Sequence, residues 1–221
     1  MKFMFVVAHP DDEVLGAGGL ISKRIKNKDE VCVVILNADY EKTREDMFND
    51  IKESHNVLGI TNKALFSYKN MNFYNENHRD MVETIEKEII AFKPDYVFTH
   101  SDKDIHNDHR VTSMCVQQAV KIWQRNPDSE EENRIKGLFF MEILSSSDWS
   151  LSKFEPDFYV SINNDDLDKK IKALLCYKNV VRERPHPRSI ECIKALSVVR
   201  GAEIGYCFAE AFKVGWLCES F

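Results

Sequence analysis

Apolar residues in this chain fall into short unbroken runs separated by stretches in which they recur every three to four positions. Lys2–Ala8, Val31–Leu36, Lys63–Phe66 and Tyr96–Thr99 are runs of the first kind. Their length and content predict strands buried on both faces. Between them lie helical patterns over Leu15–Lys26, Arg44–Leu58, Asp80–Phe92 and Asp108–Trp123. In the third, Met81, Ile85, Ile89 and Phe92 share one face, and Pro94 follows the end. Gly59 stands where a C-cap of the second of these helices should be. Asn126–Arg134 is a charged loop, after which Gly137–Leu144 and Phe158–Ile162 predict two more strands and Leu167–Cys176 and Ser189–Val199 two more helices.

Strands separated by helices of this length imply βαβ units with right-handed crossovers. The expected fold is α/β: a Rossmann-like, mostly parallel sheet flanked by helices, with C-terminal additions. No internal repeat or linker divides the chain, so residues 1–221 are expected to form a single domain. In such sheets ligands bind beyond the carboxyl ends of the strands.

Composition narrows the partners. The formal net charge is −6 and no basic run is present, which argues against nucleic acid and anionic membranes and for a small molecule. The first apolar run is too short for a secretion signal, and no stretch reaches the length of a membrane span. A cytoplasmic protein is expected, with the oligomeric state left open, a homo-oligomer included. The six cysteines are widely spaced without a CxxC pair, and are read as small buried hydrophobes.

Two clusters carry chemistry. His9-Pro10-Asp11-Asp12-Glu13 follows the first strand, and Asp104-Ile105-His106-Asn107-Asp108-His109-Arg110 follows Tyr96–Thr99. Two imidazoles and one carboxylate with a position left for water are the usual make-up of a catalytic zinc site. The tight turn after His9 brings it and one adjacent Asp within reach of a single ion, leaving the other Asp as a general base. The competing reading is capping: Asp12 or Glu13 favouring one helix start, Asn107 or Asp108 another. Two such clusters at strand ends of one sheet favour the chemical reading.

Ala8-His9-Pro10-Asp11-Asp12-Glu13 resembles the N-terminal signature of the PIG-L / LmbE-like de-N-acetylase family, and Asp104 through Arg110 resembles its second signature, with Asn107 where Pro is common. Glu142 with Ser145-Ser146-Ser147-Asp148-Trp149, and the tail from Arg200-Gly201-Ala202-Glu203 through Ala209-Glu210-Ala211-Phe212, also resemble members of that family. The resemblance implies a Zn2+-dependent hydrolase that removes the N-acetyl group from an N-acetylglucosamine-type amino sugar or glycoconjugate. By motif position, His9, Asp12 and His109 would bind the metal and Asp11 would be the general base. His106, protonated, would hold the oxyanion or protonate the amine, and Asp108 would orient it from the far ring nitrogen. Tyr177 replaces a histidine of the branch acting on thiol cofactors, which argues against such a substrate. An amidase acting on a larger sugar-linked amide and a non-catalytic sugar-binding module are the alternatives; a substrate panel separates the first. The second would be marked by loss of Asp11 or of a metal ligand, and neither is lost here.

Gly16-Ala17-Gly18-Gly19 lacks the third glycine of a dinucleotide loop, so close packing at a helix start is expected, with N–H groups there still able to face a ligand oxygen. Asp104, ahead of His100, is the candidate to support the site from behind. His186 and Arg188 are candidates to reach it from the C-terminal half, with a surface loop as the competing reading. His55 and His78 are expected in solvent, and Arg44, after the second strand, is read as an ordinary surface residue ahead of the other reading, a hold on a substrate phosphate or hydroxyl.

Overall fold

The computed structural model describes residues 1–38, 44–126 and 130–218, the side chains of Arg44 and Glu45 excepted. The order is β1 (Lys2–Val7), α1 (Asp12–Lys26), β2 (Glu30–Ile35), α2 (Arg44–Leu58), β3 (Asn62–Leu65), α3 (His78–Phe92), β4 (Tyr96–His100), α4 (Asn107–Arg125), β5 (Gly137–Met141), β6 (Phe158–Ile162), α5 (Asn164–Cys176), α6 (Ile190–Ala202) and β7 (Phe208–Leu217). One sheet of order β3-β2-β1-β4-β5-β7-β6 joins all seven strands. The pairings among β3, β2, β1, β4 and β5 are parallel, and β7 runs antiparallel between β5 and β6.

Alternation along β1 shows why its run is continuously apolar. Phe3, Phe5 and Val7 join the core under α1, α2, α5 and α6, while Met4, Val6 and Ala8 join the core under α3 and α4. Both faces of the sheet are covered, as a parallel sheet requires. Gly59 ends α2 at φ +87°, the left-handed conformation expected of it. Among the described residues no helix is long and apolar enough to cross a membrane.

Three expectations need correction. The strand β7 lies in the tail that pattern alone left without an element, and it is what closes β6 onto the sheet. The cysteines divide: Cys32 and Cys115 are buried, Cys176 and Cys192 half-buried, and Cys207 and Cys218 exposed. His55 is fully buried rather than solvated, and His78 is half-buried against Gln118 and Cys115. The Arg44 side chain lies outside the described residues.

The glycines of α1 are there for packing. A Cβ on Gly16 would press on Met141 and Ile143, and one on Gly19 on Ile162 and Glu210. The helix kinks at Ala17, which frees N–H groups in the next turn. Those of Gly19 and Leu20 donate to Glu210 from β7 at 2.9 and 2.7 Å, and Lys170 neutralises that buried carboxylate at 2.6 Å. The oxygen they face belongs to the protein, not to a ligand. Glu142 is also structural: it pairs with Arg200 at 2.7 Å and ties α6 to the end of β5.

Candidate metal and catalytic site

The chain order changes direction at β1, whose neighbours are β2 on one side and β4 on the other. A crevice opens beyond the carboxyl ends of adjacent strands at such a point. Both sequence clusters lie there, because β1 runs into His9 and β4 into the loop before α4. They line a cleft of about 510 Å³, together with Asn37, Met71, Ile105, Ser145, Ser146 and Arg188.

Asp12 sits at the centre. Its Oδ2 is 3.3 Å from His9 Nδ1 and 3.3 Å from His109 Nε2. Each of these imidazoles meets a second carboxylate at its far nitrogen: His9 Nε2 lies 3.2 Å from Asp108 Oδ2, and His109 Nδ1 lies 3.1 Å from Asp104 Oδ2. A carboxylate hydrogen-bonded at the far nitrogen, as Asp108 is to His9, fixes the tautomer and leaves the near nitrogen a lone pair for a cation, the usual support for a metal-bound histidine. At His109 Nδ1 the hydrogen-bond partner is the Ser146 hydroxyl at 3.3 Å, with the Asp104 oxygen beside it as a charge. Two other imidazoles lie close but are spent differently. His100 Nε2 accepts the Ala8 N–H at 2.9 Å, and His106 Nδ1 accepts the Asp108 N–H at 3.2 Å. A neutral imidazole whose Nδ1 accepts a hydrogen bond carries its proton on Nε2. His106 is therefore a donor toward the cleft rather than a ligand. Among the described residues two His-rich groups lie close enough to hold an ion, His9/His106/His109 and Asp12/His100/His109, and each contains one such imidazole. Apart from these two imidazoles, His9 Nδ1 and His109 Nε2 both face Asp12 Oδ2.

Electrostatics point to the same spot. Burial disfavours charge on His9 and His109, yet Asp108 and Asp12 raise His9 to about 9, and Asp12 with Asp104 raises His109 to about 10. Burial would also lift the Asp12 carboxyl, but His109, His100 and His9 hold it well below the usual carboxylate range. Without a metal the pocket thus takes up protons between these three residues, so it asks for positive charge there. A divalent ion held there would meet that demand and displace the protons. Its binding should release protons and weaken as pH falls; metal titration of the purified protein at pH 6 and pH 8 in a weak buffer reads both effects.

Asp11 is the other acid of the turn. Its φ of 104° is unusual for a residue with a Cβ, and such conformations cost on the order of 1–3 kcal/mol and cluster at functional sites. Although it stands at the N-cap of α1, its side chain makes no cap bond. Instead Oδ2 accepts from Arg188 Nη1 at 3.1 Å, while Arg188 Nε donates to Ser145 Oγ at 2.7 Å. Oδ1 has no hydrogen-bond partner among the described residues. Burial and the Asp12 charge raise the Asp11 carboxyl to about 8, with Arg188 opposing them.

One assignment changes here. The Asp108 carboxylate does not reach the ring of His106. Its oxygens face His9 Nε2 and accept the N–H groups of Met71 at 2.7 Å and Phe73 at 3.1 Å. Only the Asp108 backbone N–H meets His106, because His106 caps α4. Nor is a protonated His106 favoured: burial, and then the charges on His109 and His9, lower it to about 4. The support residue given the first place behind the site, Asp104, holds His109, the His106 N–H at 2.8 Å and the Ser146 hydroxyl. Arg188 does reach the site, whereas His186 is exposed. The sequence marks Ser145 and Ser146 only through the family resemblance of residues 145–149, and Asn37 carries no signal beyond following a strand at the same end of the sheet.

The model of the PIG-L family, described as GlcNAc-PI de-N-acetylase, matches residues 4–120, just over half of the chain. Among solved structures, a conserved protein of Thermus thermophilus is 21% identical with a TM-score of 0.80, over 99% of this chain and 96% of that one. The N,N'-diacetylchitobiose deacetylase of Pyrococcus horikoshii is 20% identical with a TM-score of 0.73, over 96% and 83%. The 4-carboxy-2-hydroxymuconate hydratase of Pseudomonas putida is 20% identical with a TM-score of 0.80, over 100% and 99%. At these identities the likeness is one of fold, and a fold by itself does not fix a reaction.

Proposed function

The chain belongs to the PIG-L (GlcNAc-PI de-N-acetylase) family, and from that premise we propose that it is a zinc-dependent N-deacetylase, a hydrolase acting on the acetamide of an N-acetylglucosamine-type sugar or glycoconjugate. The observation that carries this reading is the convergence of His9 Nδ1 and His109 Nε2 on Asp12 Oδ2, with Asp11 alongside. In the proposal His9, Asp12 and His109 hold the metal, which supplies Lewis acidity toward a water molecule and an amide carbonyl.

The chain's own groups do the rest. Asp11 takes the proton of the attacking water at Oδ1, because Arg188 occupies Oδ2. Neutral His106 turns its Nε2–H toward the oxygen on which charge develops. It keeps that proton, since losing it would leave an anion in a buried site. Asp11, now carrying the water's proton, is the group that hands it to the departing amine. Met71 and Ile105 give the cleft apolar walls beside these polar groups, a combination suited to a sugar ring. A cytoplasmic location goes with this reading.

Acetate release tests the proposal across N-acetylglucosamine, its oligomers, glycosides and nucleotide conjugates, and acetyl-lysine peptides, with metal present and after chelation. Hydrolysis of the amino-sugar acetamides, lost on chelation and restored by metal, is expected. Preference for acetyl-lysine would overturn the substrate class; full activity in metal-free protein would overturn the mechanism.

Arg188 gives a pH prediction. Its charge opposes the burial that raises Asp11. Asp11 acts ionised, so turnover falls as pH drops through its pKa. In Arg188→Ala that opposing charge is gone, and the acid limb of kcat/KM should move to higher pH, with Arg188→Lys between wild type and Ala. An acid limb that stays put would remove Arg188 from the site's electrostatics.

A further inference from the structure

The mechanism leaves one buried carboxylate unused. Glu13 is fully buried next to Asp12 and, among the described residues, has no lysine or arginine partner. Burying a carboxylate is costly unless its oxygens are satisfied, and here both are. Oε2 accepts the backbone N–H of Asp11 at 3.1 Å. Oε1 accepts the phenol of Tyr177 at 2.6 Å and lies 3.3 Å from His55 Nε2. Tyr177 and His55 are themselves buried, and they come from the end of α5 and from α2, far from the motif in sequence. His55 Nδ1 has no partner, so the ring is held by the Glu13 contact at its other nitrogen.

We infer that Glu13 is the positioning residue of the general base: its carboxylate, braced by Tyr177 and His55, holds the Asp11 peptide in its left-handed conformation so that Oδ1 faces the reacting centre. The inference rests on the role proposed for Asp11. Its logic is local. Asp11 is the one residue of the turn whose φ is positive, and an L residue leaves that region unless its neighbours hold it. Above, the Asp11 carbonyl accepts the first N–H groups of α1, from Val14 at 3.0 Å and Leu15 at 2.8 Å. Its own N–H, on the strained side, has Glu13 as its acceptor. A helix start needs no buried acid to form, since a carboxylate that merely favours the helix dipole can sit in water. Here two further buried side chains are devoted to one oxygen of Glu13. This also gives Tyr177 a purpose: its hydroxyl donates directly to Glu13.

Gln suits a positioning role nearly as well as Glu. Its carbonyl can accept the Asp11 N–H, and its amide can donate to the Tyr177 oxygen and to His55 Nε2 after a change of tautomer. Glu13→Ala, Glu13→Gln and Tyr177→Phe therefore separate the possibilities. Loss of a residue supporting a reactive group typically costs about 10- to 100-fold. Glu13→Ala should lose that much kcat with KM and metal content near wild type and a lowered melting temperature, because buried donors lose their acceptor. Tyr177→Phe should lose less kcat, and Glu13→Gln should regain most of both. Crystal structures of metal-loaded Glu13→Ala and Glu13→Gln read the backbone directly: φ of Asp11 should leave the positive region in the first and keep it in the second. An unchanged Asp11 in Glu13→Ala overturns the inference. So does loss of metal in step with kcat in Tyr177→Phe, which would make the cluster a support for the metal instead. The structural and metal readouts need no turnover, so an enzyme that releases no acetate would refute the proposed function and still leave this inference decided.

Discussion

Asp11→Asn should retain its metal and lose roughly 1,000-fold in turnover, within the range general acid–base catalysis supplies. Asn fills the same space, and its carbonyl can still accept the Arg188 hydrogen bond, so the turn and the cleft should survive. What it cannot do is accept a proton. In the proposed mechanism that loss counts twice, because a neutral His106 leaves Asp11 as both the acceptor of the water's proton and its donor to the amine. The effect should fall on kcat, with KM for an amino-sugar acetamide little changed, since a step made only in the transition state has been removed. Elemental analysis beside steady-state kinetics decides it. If Asp11→Asn strips the metal and Asp12→Asn does not, the base and the ligand have been exchanged. The geometry argues against that exchange: Asp12 Oδ2 already faces both imidazoles, and Asp11 faces an arginine.

Much of this architecture was legible from pattern because the relevant physics is local. The first strand and the helices before and after β4 announce themselves through buried runs and 3.6-residue faces. The placement of His9 and His106 at strand ends then followed from the parallel topology. Partner choice was not legible. Asp108 is followed immediately by His109 and stands two residues after His106, so sequence invited a pairing inside its own cluster. The folded chain instead turns its carboxylate across the crevice to His9, 99 residues earlier, and to the N–H groups of Met71 and Phe73. Long-range polar contacts of that kind leave no periodicity. Tyr177 shows the same limit, since it comes from the C-terminal half to touch the first motif; Arg188 was a candidate to reach the site, but its partner Asp11 was not readable. His55 shows its converse: on an amphipathic helix it looked like a solvated position, and burial is permitted because Glu13 is there to meet it. The strand β7 escaped notice because its outer half alternates with exposed positions and its inner half carries the buried Glu210.

The two histidines of the second cluster should separate by what they lose. His109→Ala removes a donor to the cation and leaves Asp104 and Asp12 facing each other across a gap. Metal content and activity should fall together, close to the level of the chelated protein. His106→Ala should keep its metal, because the wild-type ring spends Nδ1 on the Asp108 N–H and carries a proton on Nε2. Its cost should be in kcat, about 100- to 1,000-fold, the usual loss for one preorganised oxyanion donor. The structure also dictates which way Asp108 goes. Its carboxylate fixes the His9 tautomer, so Asp108→Asn should side with His109→Ala, weakening metal affinity about 10- to 100-fold, and excess metal should restore much of its turnover. The pH profile supplies the independent check. His106 is depressed to about 4, chiefly by burial and then by the charges of His109 and His9. A cation held by those two residues also disfavours charge on it. The ring is therefore neutral above that value, and no basic limb between pH 6 and 9 should belong to it. Deleting His106 should lower the whole profile without moving its limbs. A basic limb that disappears in His106→Ala would mean that the protonated ring does the work, and equal metal loss in His106→Ala and His109→Ala would put both histidines on the ion.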